Sequence, residues 1–205
     1  MKQRLHVFVA ALAVVAVTAT GVYAAQTSKL SQTISAGTIT MDNVTSGGVS
    51  TSPTFNMNGA TVSTTQQTVT GTYGDATTGR IQVDNPGAAK TWNVALAATN
   101  PTVAWTTDGT TLKYKHNGAT AAEGQLSLTS AGTVTPVSGD VVTVSGPTTP
   151  ATFTGTTPIT IMSASTGANH VWKGYITGIG LSQTIPASMP AGTYHIDMTQ
   201  TLTSS

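Results

Sequence analysis

Apolar and polar residues alternate one by one along most of this chain. In Trp92-Asn93-Val94-Ala95-Leu96, an extended backbone puts Trp92, Val94 and Leu96 on one side and Asn93 and Ala95 on the other. The run from Tyr194 to Leu202 repeats the arrangement: Tyr194, Ile196, Met198 and Leu202 share a face, opposite His195, Asp197, Thr199 and Thr201. Shorter versions occur at Ile81/Val83, Leu112/Tyr114, Leu126/Leu128, Val142/Val144 and Ile159/Ile161. Valine and threonine, branched at Cβ, suit a pleated surface, so each run predicts a strand.

Turn signals separate the runs: Gly47-Gly48, Asn58-Gly59, Gly74-Asp75, Asn85-Pro86-Gly87, Asp108-Gly109, Asn117-Gly118, Gly139-Asp140 and Gly146-Pro147. Their frequent spacing of about ten residues is that of short antiparallel strands in a sandwich or barrel. Asp108-Gly109 and Asn117-Gly118 predict tight hairpins, because glycine supplies the positive φ such turns need. The polar stretch Gln26–Ser35 reads as a tip or an edge strand, and Ser145–Pro158, rich in Pro and Thr, as a long surface loop. No internal repeat stands out, and nothing marks a second domain. The expected fold is all-β, an antiparallel Ig-like β-sandwich over residues 25–205.

The start of the chain is of another kind. Lys2 and Arg4 precede an apolar run, Val7–Val17, and Val22 and Ala24 occupy the −3 and −1 positions of a small-residue cleavage site. That is the build of a secretory signal peptide: a leader helix over 1–24, cleaved before Ala25. A membrane anchor fits less well, because Thr18, Thr20 and Gly21 cut the apolar run short of the ~20 residues a span needs. Membrane contact is therefore expected only through the leader, before cleavage. Without Lys2 and Arg4, six basic residues face seven acidic ones, a net charge of −1. Nothing there predicts a nucleic-acid or anionic-lipid partner. Threonine supplies about a fifth of the chain, so solubility rests on hydroxyls and amides. The chain has no cysteine, which excludes a disulfide framework, a zinc–thiolate site and a cysteine nucleophile. These features predict a secreted bacterial protein of the cell surface or cell wall. The C-terminal Thr201-Leu202-Thr203-Ser204-Ser205 carries no Leu-Pro-x-Thr-Gly sorting signal, so retention there is expected to be non-covalent.

Candidate chemistry is sparse. His116, His170 and His195 are far apart and lack metal-ligand spacing. No serine sits in a Gly-x-Ser-x-Gly elbow. Glu123 is the sole glutamate, which rules out a glutamate pair for glycoside hydrolysis. Asp42, Asp75, Asp84, Asp108 and Asp140 read as turn or strand-end residues, and no calcium-loop spacing is present. Neither an enzyme nor a cofactor nor a metal is expected. Asn43-Val44-Thr45 is a glycosylation sequon, of consequence only in a host that reads it.

The large rings remain. Trp92 shares its face with Val94 and Leu96 and is expected in the core. Trp105 and Trp172, where alternation is less regular, are candidate ligand platforms, together with Tyr175. Exposed rings of this kind serve sugar binding, because a pyranose presents an apolar C–H face that stacks on them.

The order of features resembles the WxL domain of bacterial cell-wall surface proteins. Ile81–Thr99, "IQVDNPGAAKTWNVALAAT", looks like that family's aspartate-containing strand end, loop and first Trp-x-Leu strand, here Trp92-Asn93-Val94. Leu181–Leu202 looks like its closing Pro-Ala-Gly-Thr-Tyr stretch and second motif strand, and Ile159–Pro186 between them fits its small-residue region. The resemblance covers about Val69 to Leu202. It implies a core built on Trp92, Val94, Tyr194 and Leu202, and non-covalent attachment to peptidoglycan or another envelope component. Two departures stand out: Val94 replaces the first motif's leucine, and Gln200-Thr201-Leu202 lacks the second tryptophan. The alternative is a structural, pilin-like subunit of an extracellular fibre, a homo-oligomer that donates Gln26–Ser35 as an added strand.

Overall fold

A computed structural model describes residues 29–45, 47–50, 53–75, 79–87, 91–99, 105–107, 113–139, 144–165 and 171–205. The leader (1–24), Asp108-Gly109, Asp140 and His170 lie outside them. The chain divides into Met1–Ile34 and Ser35–Ser205. In the first unit, Lys29–Ile34 carry no regular structure and are exposed; every strand described belongs to the second.

Among the described residues the alternating runs become strands, all paired antiparallel; Leu112 and Val142 lie outside those residues. The spine of the largest sheet is β12 (Val171–Ile185). Along one side it pairs β8 (Leu126–Gly139) from end to end. Along the other, its first half pairs β4 (Arg80–Pro86) and its second half β3 (Gln67–Tyr73). Beyond β4 come β1 (Thr40–Thr45) and β2 (Gly48–Ser50), and β10 (Ala151–Thr152) caps the start of β8. A second sheet has the order β14 (Met198–Ser204), β5 (Trp92–Ala98), β11 (Ile159–Ala164), β9 (Val144–Ser145). A third, small sheet joins β13 (Tyr194–His195), β6 (Trp105–Thr107) and β7 (Lys113–Tyr114).

The inward sides of the two larger sheets share one core. In β5, Trp92, Val94, Leu96 and Ala98 are buried while the residues between them are half-buried. They meet Ile81 and Val83 of β4, Leu126 and Leu128 of β8, and Ile176 and Ile179 of β12. Trp92 from one sheet and Trp172 from the other bring their ring centroids to 5.4 Å at a 38° tilt. Burying each ring contributes ~2–3 kcal/mol. Gly174 makes room for this pair: a Cβ there would lie 2.6 Å from Cη2 of Trp172. In β11 a register shift between Thr160 and Met162 turns both Ile161 and Met162 inward, so strict alternation fails there.

A crease crosses the large sheet at one level. Gly178 of β12, Gly132 of β8 and Gly74 at the end of β3 all have positive φ. Gly178 lies opposite Gly132 in the ladder, and its N–H donates to the Gly74 carbonyl. Before the crease β12 buries Trp172, Gly174 and Ile176; after it, Ile179, Leu181 and Gln183. The inward parity thus changes from even to odd, which lets a 15-residue strand stay on the core as the sheet bends. At Gly132 a Cβ would stand 2.5 Å from the Thr177 carbonyl oxygen, so glycine is required by space as well as by φ.

Three local expectations change. Asn117-Gly118 opens no two-residue hairpin. The loop runs on through a 3₁₀ turn, Ala121–Glu123, to Gly124, where the positive φ sits, and closes by Gly118 N–H to Gly124 O. Ser145–Pro158 is not wholly a surface loop, because it supplies β10 and buries Phe153 at 2 % exposure. The run Tyr194–Leu202 is two strands. Tyr194 and His195 pair β6 while Met198–Ser204 pair β5, so Tyr194 belongs to the small sheet and not to the core cluster.

Candidate ligand-binding groove

A groove of about 1180 Å³ opens where the second half of β12, β3, β14 and the small sheet converge. Its base includes Val69 of β3 and Leu181 and Gln183 of β12, which the crease has turned inward. One wall is aromatic. Trp105 stacks on Tyr114 at 5.9 Å and 12°, and Tyr114 meets Tyr194 at 5.2 Å and 57°. The wall is pinned from behind by Gln183, which is fully buried. Its Oε1 accepts the Trp105 indole N–H at 2.8 Å, and its Nε2 donates to the carbonyls of Thr184 (2.7 Å) and Lys115 (3.2 Å). Three hydrogen bonds on one buried amide fix the indole's orientation, because breaking any of them strands a buried polar group. The Tyr194 hydroxyl donates to the Pro190 carbonyl at 2.9 Å.

The opposite wall is polar. Gln200 Nε2 donates to the Tyr73 hydroxyl (2.7 Å) and to Asn43 Oδ1 (3.0 Å), joining β14 to β3 and β1. At Gln200 the chain thus builds a polar bridge between sheets. The Gln200 Oε1 is buried and has no hydrogen-bond partner among the described residues. Burial pushes the Tyr73 phenol up to about 12, against the lowering effect of the Gln200 hydrogen bond. Burial, and secondarily the neighbouring Tyr194, also raises Tyr114. Both stay neutral phenols at physiological pH. Besides the tyrosines, His195 and Asp197 are the only titratable residues lining the groove among the described residues, so these present hydroxyls and amides between aromatic and aliphatic faces.

A strap, Pro53–Thr65, lies along the mouth. It touches β3 through one bridge, Met57 opposite Gly71, and through Asn58, whose N–H donates to the Thr70 carbonyl at 2.7 Å. Phe55 packs on Tyr73 at 4.4 Å, and Ser188 N–H donates to the Ser63 carbonyl at 2.7 Å.

The side chains nominated by sequence lie in three places. Trp105, half-buried, lines the groove. Trp172 is 2 % exposed against Trp92 and offers no open face to a ligand, so it acts as core and not as a platform. Tyr175 is on the outer side of the large sheet, where the Arg80 guanidinium carbon sits 4.4 Å from its ring centroid. Beside it Lys173 pairs with Asp84 at 2.7 Å. Trp92 (3 %) and Val94 (0 %) are buried, and Leu202 is half-buried opposite Val94. Tyr73, Tyr114, Gln183 and Gln200 were not nominated. The available signal was a glutamine at an inward position in "LSQTI" and another in "MTQTL": a buried amide needs partners, and these two build the groove. Among the described residues, no three His, Cys, Asp or Glu side chains gather to hold a metal ion. Comparison with family models, curated proteins and solved structures returns no match.

Proposed function

We propose that this chain is a non-catalytic bacterial surface module, exported by its leader, whose WxL-like, Ig-like sandwich attaches non-covalently to the peptidoglycan wall. The observation that carries this reading is the groove: nearly uncharged, walled by Trp105 and Tyr194 and lined by amides. An apolar sugar face stacks on such rings while its hydroxyls bond amides, and the volume exceeds that of pockets built for one small molecule. The adjacency of β5 and β14, which hold the two motif-like stretches, adds support: Leu202 is opposite Val94, and Gln200 opposite Leu96. The test is sedimentation of the purified full chain with isolated peptidoglycan. The expected result is a saturable fraction in the pellet, released by denaturant; a chain that stays in the supernatant at every wall concentration overturns the reading.

A further inference from the structure

Five residues occur twice in this chain: Leu30-Ser31-Gln32-Thr33-Ile34 is identical to Leu181-Ser182-Gln183-Thr184-Ile185. The second copy is the end of β12, antiparallel to β3 in a full ladder from Gly71 opposite Leu181 to Gln67 opposite Ile185. There Leu181, Gln183 and Ile185 line the groove. The first copy lies in the open, with Leu30 at 98 % and Ile34 at 87 % exposure. It carries the side-chain pattern of a strand that β3 already accepts, and two large apolar residues without cover.

We propose that Leu30–Ile34 of one molecule adds as a strand to the outer edge of β3 in a second copy, so that the protein assembles with itself. The edge is suited to it. Thr70 offers its carbonyl outward to Asn58, and Thr68 and Thr72, two residues either way, direct their backbone groups to the same side. The strap occupies this edge over two residues only, through the Met57–Gly71 bridge and the Asn58 bonds to Thr70, with Phe55 on Tyr73 beside them, and a five-residue ladder would have to displace these contacts. A strand entering in the sense of Leu181–Ile185 turns Leu30, Gln32 and Ile34 towards the groove. The pentapeptide is uncharged, as is almost all of the groove.

Reach makes the contact intermolecular. Gly37 N–H bonds the Pro86 carbonyl, and Pro86 is opposite Val171. In the sense of Leu181–Ile185 it is Ile34 that must reach Gln67, which is opposite Ile185, fourteen positions further along β12: about 46 Å along the strand, and still about 33 Å were the crease at Gly178 a right angle. From Gly37 back to Ile34 the chain spans at most ~11 Å. A molecule's own pentapeptide therefore falls short of its own β3.

The experiment is sedimentation velocity of the purified full chain over a range of concentrations, beside Leu30→Glu/Ile34→Glu. Both residues are solvent-exposed, so the variant keeps its β-body. The wild type is expected to assemble reversibly, and the variant to raise the dissociation constant by ~100-fold. A synthetic peptide of residues 29–35, added to the variant, should slow amide exchange at Thr68 and Thr72, and a scrambled peptide should not. A wild type that is monomeric throughout, assembly untouched by the double substitution, or peptide protection elsewhere than β3 overturns the proposal. Wall sedimentation of the variant reports separately on the function proposed above.

Discussion

Two clusters of rings, one at each end of the large sheet's spine, put the same residue types to opposite uses. At the start of β12, Trp172 meets Trp92 with both rings under 4 % exposed within the hydrophobic core, the buried Asn85 lying directly opposite Trp172 in the ladder. Near its end, Trp105 stacks on Tyr114 while its N–H reaches a buried glutamine and the ring borders the groove. In the first cluster the indole supplies area, and its value is that of apolar surface taken from water. In the second, an amide sets the ring's direction, so that part of its face remains free for another molecule. What separates core from platform here is cover: Trp172 is closed in between the two sheets, whereas Trp105, held by the amide of Gln183, is half-buried at the groove.

The contrast breaks most visibly at the closed end. Trp172→Ala should lower unfolding free energy by ~3–5 kcal/mol, because the cavity it leaves lies between two sheets and cannot collapse. A urea titration that returned less than ~1 kcal/mol would mean the sheets do not meet through this ring.

At the open end the largest effect belongs to the amide. Gln183→Leu keeps the volume but strands the Trp105 N–H and the carbonyls of Lys115 and Thr184. The expected cost is ~2–3 kcal/mol, with a shift of Trp105 fluorescence as the indole loses its anchor. An unchanged emission spectrum would remove Gln183 from that role.

These two sites also show what the sequence could and could not reveal. Period two disclosed the all-β class and the inward face of β5, because "TWNVAL" alternates without interruption. It failed on Trp172 for a physical reason. The inward residues of β12 include Gly174, which has no side chain to mark the face, and the parity then changes at Gly178. A strand that turns over mid-length carries no single period. The groove was legible only in part. Trp105 could be named, but Gln183 and Gln200 take their meaning from partners 78 and 127 residues away, Trp105 and Tyr73. The row of positive-φ glycines that swings Gln183 inward is a property of three strands together.

A smaller effect comes from alkaline solution. Burial lifts Tyr73 from 10.0 to about 12, so the folded protein holds this proton more tightly than the unfolded chain does. Tyr114 is displaced in the same direction. Their stabilisation is complete below about pH 10 and is lost as pH climbs towards 12. The urea midpoint should fall over that window, and less steeply in Tyr73→Phe. Parallel curves for wild type and variant would show that Tyr73 ionises as easily folded as unfolded.

The smallest stability effect should accompany the largest functional one. Trp105 is half-buried at the groove edge and covers no part of the main core, so Trp105→Ala should cost only about 1 kcal/mol, chiefly the bond to Gln183. Water can enter the groove and satisfy the vacated Oε1, which keeps the cost down. Yet the same substitution removes the ring on which a sugar would stack, a contact worth enough to deplete the wall pellet about tenfold at fixed wall concentration. Trp92→Ala should do the reverse, with a large loss of stability and, below its unfolding temperature, wall binding preserved. If Trp105→Ala sediments with the wall as the wild type does, the ring is a lid on Gln183 and the ligand, whatever its chemistry, is held elsewhere.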